Sequence, residues 1–259
     1  MAVSGRIRET LGYMIIVIMT FAVLQSVVVV MHEFTHSTAA WLFGDMPSPL
    51  GIVWGNPLMM TGWDEGVHYS KLFPSGHHAA EAIIGGSPLL VHPVIVALGI
   101  LLLQRQWMIE KKWIFHVIYW FVIANFMELI AYIVMRPFAS GGDTGHFNRG
   151  LGLSPWILFV AGTLIIIFGL YVIFKKILPL MYTVFARGNC MTEWAILFMT
   201  AFFLFLWGSG IRVVFYIYPD PQWMFGLLGF AAFGVVLVAC NPRRDITNPG
   251  TSILVSCQA

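Results

Sequence analysis

Charge is what this sequence has least of. Only 10% of its 259 residues are Asp, Glu, Lys or Arg, 59% are hydrophobic, and the mean hydropathy is +0.82. A soluble domain of this length needs far more polar surface, so a water-soluble globular fold is excluded and an integral membrane protein is implied. The net charge is +2, and no basic patch is interleaved with aromatics, which excludes an evident nucleic-acid partner. Cysteine is scarce too. Cys190, Cys240 and Cys257 have neither metal-type nor redox-type spacing. No internal repeat and no low-complexity segment occurs. No small-residue cleavage site follows the apolar N-terminal run, which therefore reads as a retained helix.

What is present is apolar length. A bilayer span needs about 20 apolar residues. Segments of roughly 11–43, 84–104, 113–136, 154–178, 192–218 and 223–240 qualify. The expected fold is an all-α polytopic membrane protein of about six transmembrane helices, one domain over residues 1–259. One link is long, from about 45 to 83, and is rich in Gly and Pro. Within it, "GIVWG" and "VHYSKLF" read as short strands, so a β-hairpin is expected there. At membrane depth such a segment must pair its own backbone or line a cavity.

Lys and Arg in the short loops set the expected orientation. The face holding the N-terminus carries Arg6, Arg8, Arg105, Lys111, Lys112, Lys175, Lys176, Arg187, Arg243 and Arg244; the opposite face carries Lys71, Arg136 and Arg149. This predicts cytoplasmic termini. The cysteines fall on or near the same face, which suits a reducing compartment.

The chemistry begins at residues 31–36, "MHEFTH", close to the far end of the first span. On a helix, residues i and i+4 share a face, so His32 and His36 can bind one ion. Glu33 lies one step round, beside any water on that ion. Zn2+ suits such a set, with Glu33 as general base. The bland alternatives are a chance match or a polar helix end. Three ionisable groups in an apolar helix are costly without a partner, which favours the metal. A third protein ligand is then required. The third span ends on the same face as the histidines and continues "MRPFASGGDTGHFNRG", which delivers Asp143 and His146 there. Asp143, Glu128 and His146 are the candidates for that third place. A carboxylate would offset zinc's charge.

"HEFTH" in the first core helix, "AIIGGSPLL" opening the next and "RPFASGGDTGHF" closing the third resemble the site-2 protease family of intramembrane zinc metalloproteases. The resemblance covers roughly residues 15–150. It implies a three-helix metalloprotease-like core over about 11–150, with 151–259 adding three further helices and a tail. It also implies that His32, His36 and Asp143 are zinc ligands, that Glu33 is the catalytic base, and that the substrate is a transmembrane segment of another protein. The long link, if it forms an exposed strand, would hold an extended substrate by strand addition.

Other polar residues carry weaker signals. His77, His78 and Glu81 precede the second span; they read as solvated surface, or as further ligands. Asn125 and Glu128 lie inside the third span, with Arg212 at matching depth in the fifth. They read as a structural pair with a polar neighbour, or as part of the site. His92 and His116 read as packed or interfacial. Two further functions compete with the hydrolase. One is a non-catalytic metal-binding subunit or scaffold with partner subunits. The other is a di-iron desaturase or hydroxylase, for which a second clear histidine box is missing.

Overall fold

The structure, a computed structural model, describes residues 2–55, 62–76 and 78–242. Among them, six helices are long and apolar enough to cross a membrane: Ser4–Leu42, Ala79–Leu103, Lys112–Val134, Pro155–Ala186, Cys190–Phe215 and Pro221–Ala239, here the first to sixth spans. The shortest has 19 residues. At 1.5 Å per residue that is about 28 Å, close to the hydrocarbon thickness of a bilayer. The chain is a multi-pass membrane protein.

The third span is the axis of the bundle. Phe115, Tyr119, Trp120, Ile123 and Met127 are all fully enclosed. The fifth span packs beside it through the stretch Phe202–Ile211, with Ile196, Leu197 and Leu204 buried, and Phe203 stacks on Phe21 of the first span at 3.6 Å between ring centroids. Polar side chains join these three helices where no water is available to them. Thr10 bonds Thr192 at 3.0 Å, Tyr119 bonds Thr200 at 2.7 Å, and buried His116 lies between Tyr13 and Thr20 at 3.4 and 3.1 Å. The outward faces carry the opposite chemistry. Ile15, Met19, Val23, Leu164, Ile165, Phe168, Val235 and Val238 are exposed. In water such a surface would drive association. Against acyl chains it is already in a matched solvent.

Two expectations need correction. The fourth span does not stop near residue 178; it runs to Ala186. Pro179 does not break it, because it falls in the first turn of the segment Leu178–Met181, just after the π-helical turn Ile173–Ile177. Lys175 and Lys176 therefore sit on the helix itself, exposed, and stems of that length let a charge extend toward the membrane interface.

The described residues of the long link form no β-hairpin. Among the described residues no strand occurs, only an antiparallel bridge between Val53 and Asp64. "VHYSKLF" contains a helical turn, Tyr69–Leu72. Side-chain burial outweighs strand pairing here. Tyr69 and Phe73 insert side by side against Ala39, Ala40 and Ile84, their rings 6.4 Å apart; a helical turn brings residues i and i+4 this close, whereas a strand would hold them about 13 Å apart. The strand-addition site has no described strand to rest on.

After the third span a further helix, Gly142–Leu151, folds back onto the second span. Glycine makes this possible. A Cβ on Gly85 would lie 2.5 Å from His146 Cβ, and one on Gly150 would lie 2.5 Å from Ala82 N. No side chain fits at either place, so the two helices meet backbone to backbone. Glu81 completes the clamp, bonded to His146 at 2.9 Å and to Arg149 Nε at 2.7 Å. This short helix carries Asp143 in its first turn.

Candidate metal centre

His32 and His36 lie ten and six residues before Leu42, the last residue of the first helix. At 1.5 Å per residue they are about 15 and 9 Å inside its end. Helix Gly142–Leu151 brings Asp143 to them. Asp143 Oδ2 is 2.9 Å from His32 Nε2 and 3.5 Å from His36 Nε2, and the two Nε2 atoms are 3.2 Å apart. All three residues are buried. A tetrahedral zinc with bonds of 2.0–2.1 Å holds its ligand atoms about 3.3–3.4 Å apart. The triangle matches that size.

The chemistry of the donor set points the same way. His36 Nδ1 is 2.7 Å from the carbonyl of Ile84. A carbonyl only accepts, so Nδ1 carries the proton and Nε2 offers a lone pair. Pro88, four residues on within the same helix, has no N–H to give that carbonyl, which takes the Ser87 hydroxyl at 2.9 Å and leaves a lone pair for His36. Pro88, inside the second span, thus leaves the Ile84 carbonyl able to orient His36. Asp143 Oδ2 is fully enclosed yet accepts no aligned hydrogen bond. An unsatisfied buried carboxylate oxygen beside two imidazole nitrogens is what a cation would satisfy. The residues present fit one divalent ion.

Charge at Asp143 follows from this arrangement. Burial alone would raise its carboxyl, but positive charge on His32 and His36 outweighs burial and holds it well below the ordinary carboxylate range. A bound cation would take over that role from the imidazole protons.

Glu33 is buried and faces a second group. Its carboxylate, His36 and Glu65 place their ligand atoms within 4.8 Å of one another. Glu65 comes from the long link, in the stretch "GWDEGVH". Burial would raise its carboxyl, but positive charge at His36 and the side chain of Asp64 lower it below its usual value. Asp64 takes the opposite shift. Burial and its bond to Glu65 push it up to about 6. The link is fixed over the site by Tyr69, whose ring stacks on His146 at 3.6 Å. Burial raises the Tyr69 hydroxyl, with the charge of Glu65 adding to it. His146 is lowered, by burial first and by Arg149, against the pull of Glu81.

A cavity of about 340 Å³ opens beside this group, lined by His32, Glu33, Val29, Trp63, Tyr132, Trp207 and Arg212 among others. Two of its walls are π-helical, Ile130–Val134 and Phe202–Ile211. Such irregular turns recur at functional positions.

The remaining residues singled out in the sequence go elsewhere. Glu128 takes Arg212 through both oxygens, at 2.8 and 2.6 Å, and Gln25 besides. His146 is held by Glu81 and Tyr69, beside the triad but outside it. His78 is exposed at the start of the second span, and His77 lies outside the described residues. Asn125 bonds His92, and His92 bonds His32 at 3.0 Å. His92 reads in the sequence as packed or interfacial, and Glu65 is not singled out there, yet both reach this group. The available signal for Glu65 was an acidic pair in an otherwise apolar, glycine-rich link. For His92 it was a histidine inside a helix already holding two prolines.

No protein-family model, curated protein or solved structure matches this sequence. Its function is therefore argued from the site.

Proposed function

We propose that this chain is an intramembrane zinc metalloprotease of the site-2 kind, with His32, His36 and Asp143 as ligands and Glu33 as general base. The observation that carries the reading is the convergence of His32 Nε2, His36 Nε2 and Asp143 Oδ2 inside a membrane helix bundle, with the Glu33 carboxylate alongside. When bound, zinc would polarise a scissile carbonyl and make a water acidic enough to attack it near neutral pH. Glu33 would take a proton from the attacking water and pass it to the departing amine. The cavity beside Glu33, which carries Val29, Trp63 and Trp207 in its lining, would receive apolar side chains of the substrate. Glu65 stands across from Glu33, placed to accept hydrogen bonds from the attacking water or the new amine.

Ligand count favours this over two irons. The triad and the group of Glu33, His36 and Glu65 share His36, whose Nδ1 is bonded to Ile84. Its one free nitrogen serves one ion at a time. The test is cleavage of single-span peptides co-reconstituted with the protein in liposomes, read by mass spectrometry. The expected result is internal cleavage that a zinc chelator stops and added zinc restores. Chelator-resistant cleavage would remove the metal from the reaction, and no cleavage across a broad peptide panel would favour the scaffold reading.

The proposed orientation places both termini in the cytoplasm and the metal nearer the external face. Single cysteines at Ser4, Ser70 and Ser154, all exposed positions, test it in a chain whose native cysteines are replaced by serine. An impermeant thiol reagent on intact cells is expected to label the Ser70 and Ser154 positions but not that of Ser4. Reversed labelling places the metal toward the cytoplasm.

A further inference from the structure

His92 is 2% exposed and lies in the second span, opposite the metal triad. Both of its ring nitrogens are engaged, and the donors can be assigned one by one. Asn125 Nδ2 donates to the Phe121 carbonyl at 2.8 Å, which fixes the amide and leaves Oδ1 toward His92. That oxygen only accepts. His92 Nδ1, at 2.8 Å from it, therefore carries the proton. A neutral His92 then offers a lone pair at Nε2. His32 Nδ1 lies 3.0 Å away and must donate to it. His32 is left with its own lone pair on Nε2, the atom that faces Asp143 and His36. The His32 ring also stacks on Tyr132, at 5.0 Å between ring centroids.

We propose that His92 and Asn125 are positioning residues for the metal: they hold His32 in the Nδ1–H tautomer, with its Nε2 lone pair aimed at the ion. This rests on the zinc reading above. The second span then orients both histidine ligands, His36 through the Ile84 carbonyl and His32 through the His92 ring. The two supports differ in one respect. The Ile84 carbonyl cannot change its polarity, whereas His92 is an acceptor toward His32 only because Asn125 accepts from its other side. Asn125 touches no ligand itself, and its effect on the ion must pass through His92.

The polarity argument makes a specific test. Glutamine at position 92 can accept through its carbonyl and donate through its amide, the pattern deduced for His92. Phenylalanine fills similar space with neither. The purified full-length chain is stripped of metal, and zinc affinity is measured by competition with a chromogenic chelator. Loss of an outer partner of a ligating histidine costs roughly 10–100-fold in metal affinity, so His92→Phe is expected to bind that much more weakly and His92→Gln close to wild type. If His92→Phe is not recovered folded, Asn125→Leu carries the same test, with a weaker zinc affinity expected. Wild-type affinity in His92→Phe or in Asn125→Leu overturns the proposal. So does a His92→Gln as weak as His92→Phe, since space-filling and not polarity would then be lost. A wild-type chain that takes up no zinc overturns the zinc reading itself, and this proposal with it.

Discussion

Glu33→Gln is expected to keep its zinc and lose cleavage by about 10²–10⁴-fold, the usual contribution of a positioned general base. The two side chains are nearly the same size, and Glu33 is not one of the three groups that converge within 3.5 Å of each other. The amide cannot take a proton from water, so the step fails while the scaffold stands. Glu65 makes the outcome informative. Apart from the ligand Asp143, it is the other carboxylate near His36, and it is placed to substitute in part. Residual activity in Glu33→Gln that disappears in Glu33→Gln/Glu65→Gln would show that substitution. Full activity in the single variant, measured as initial rate on one peptide, would mean that Glu33 is not the base.

Asp143→Asn is expected to have the largest effect on the metal. It removes the one negative charge among the three converging ligand atoms, and a neutral amide is a poor zinc ligand. The loss should exceed the roughly 100-fold upper range for outer partners of ligands. It should also be specific. Glu128, the third-span carboxylate that the sequence offers as an alternative ligand, has both oxygens on Arg212. Glu128→Gln is therefore expected to cost stability and leave zinc in place. Breaking one side of a buried ion pair typically costs about 3–5 kcal/mol. The two variants, purified in parallel, are compared for zinc content and for thermal unfolding in detergent. Zinc lost from Glu128→Gln but retained by Asp143→Asn would reverse the assignment.

The parts of this fold legible in the sequence are those governed by composition and by helical period. Six spans follow from apolar length, and the i, i+4 spacing of His32 and His36 puts them on one face. Asp143 could be brought to that face by counting spans, because the first and third run in the same direction. Other features depend on rotation and loop path, which hydropathy does not encode. Neither the period nor the composition of the second span says that His92 turns toward His32 and away from lipid. The same limit hides Pro88's part in freeing the Ile84 carbonyl, since that is visible only once His36 is seen to reach it. The long link was misread because its β-branched and aromatic residues suit a strand in isolation. In the fold, Tyr69 and Phe73 have a better place against the second span and the end of the first. That packing is also what brings Glu65 to the site.

The central claim is a single zinc held by His32, His36 and Asp143. Elemental analysis of the purified wild-type chain, beside His36→Ala, tests it most directly. The account predicts zinc at one per chain in the wild type and little or none in His36→Ala. Two irons per chain, or zinc retained in full by His36→Ala, would contradict it.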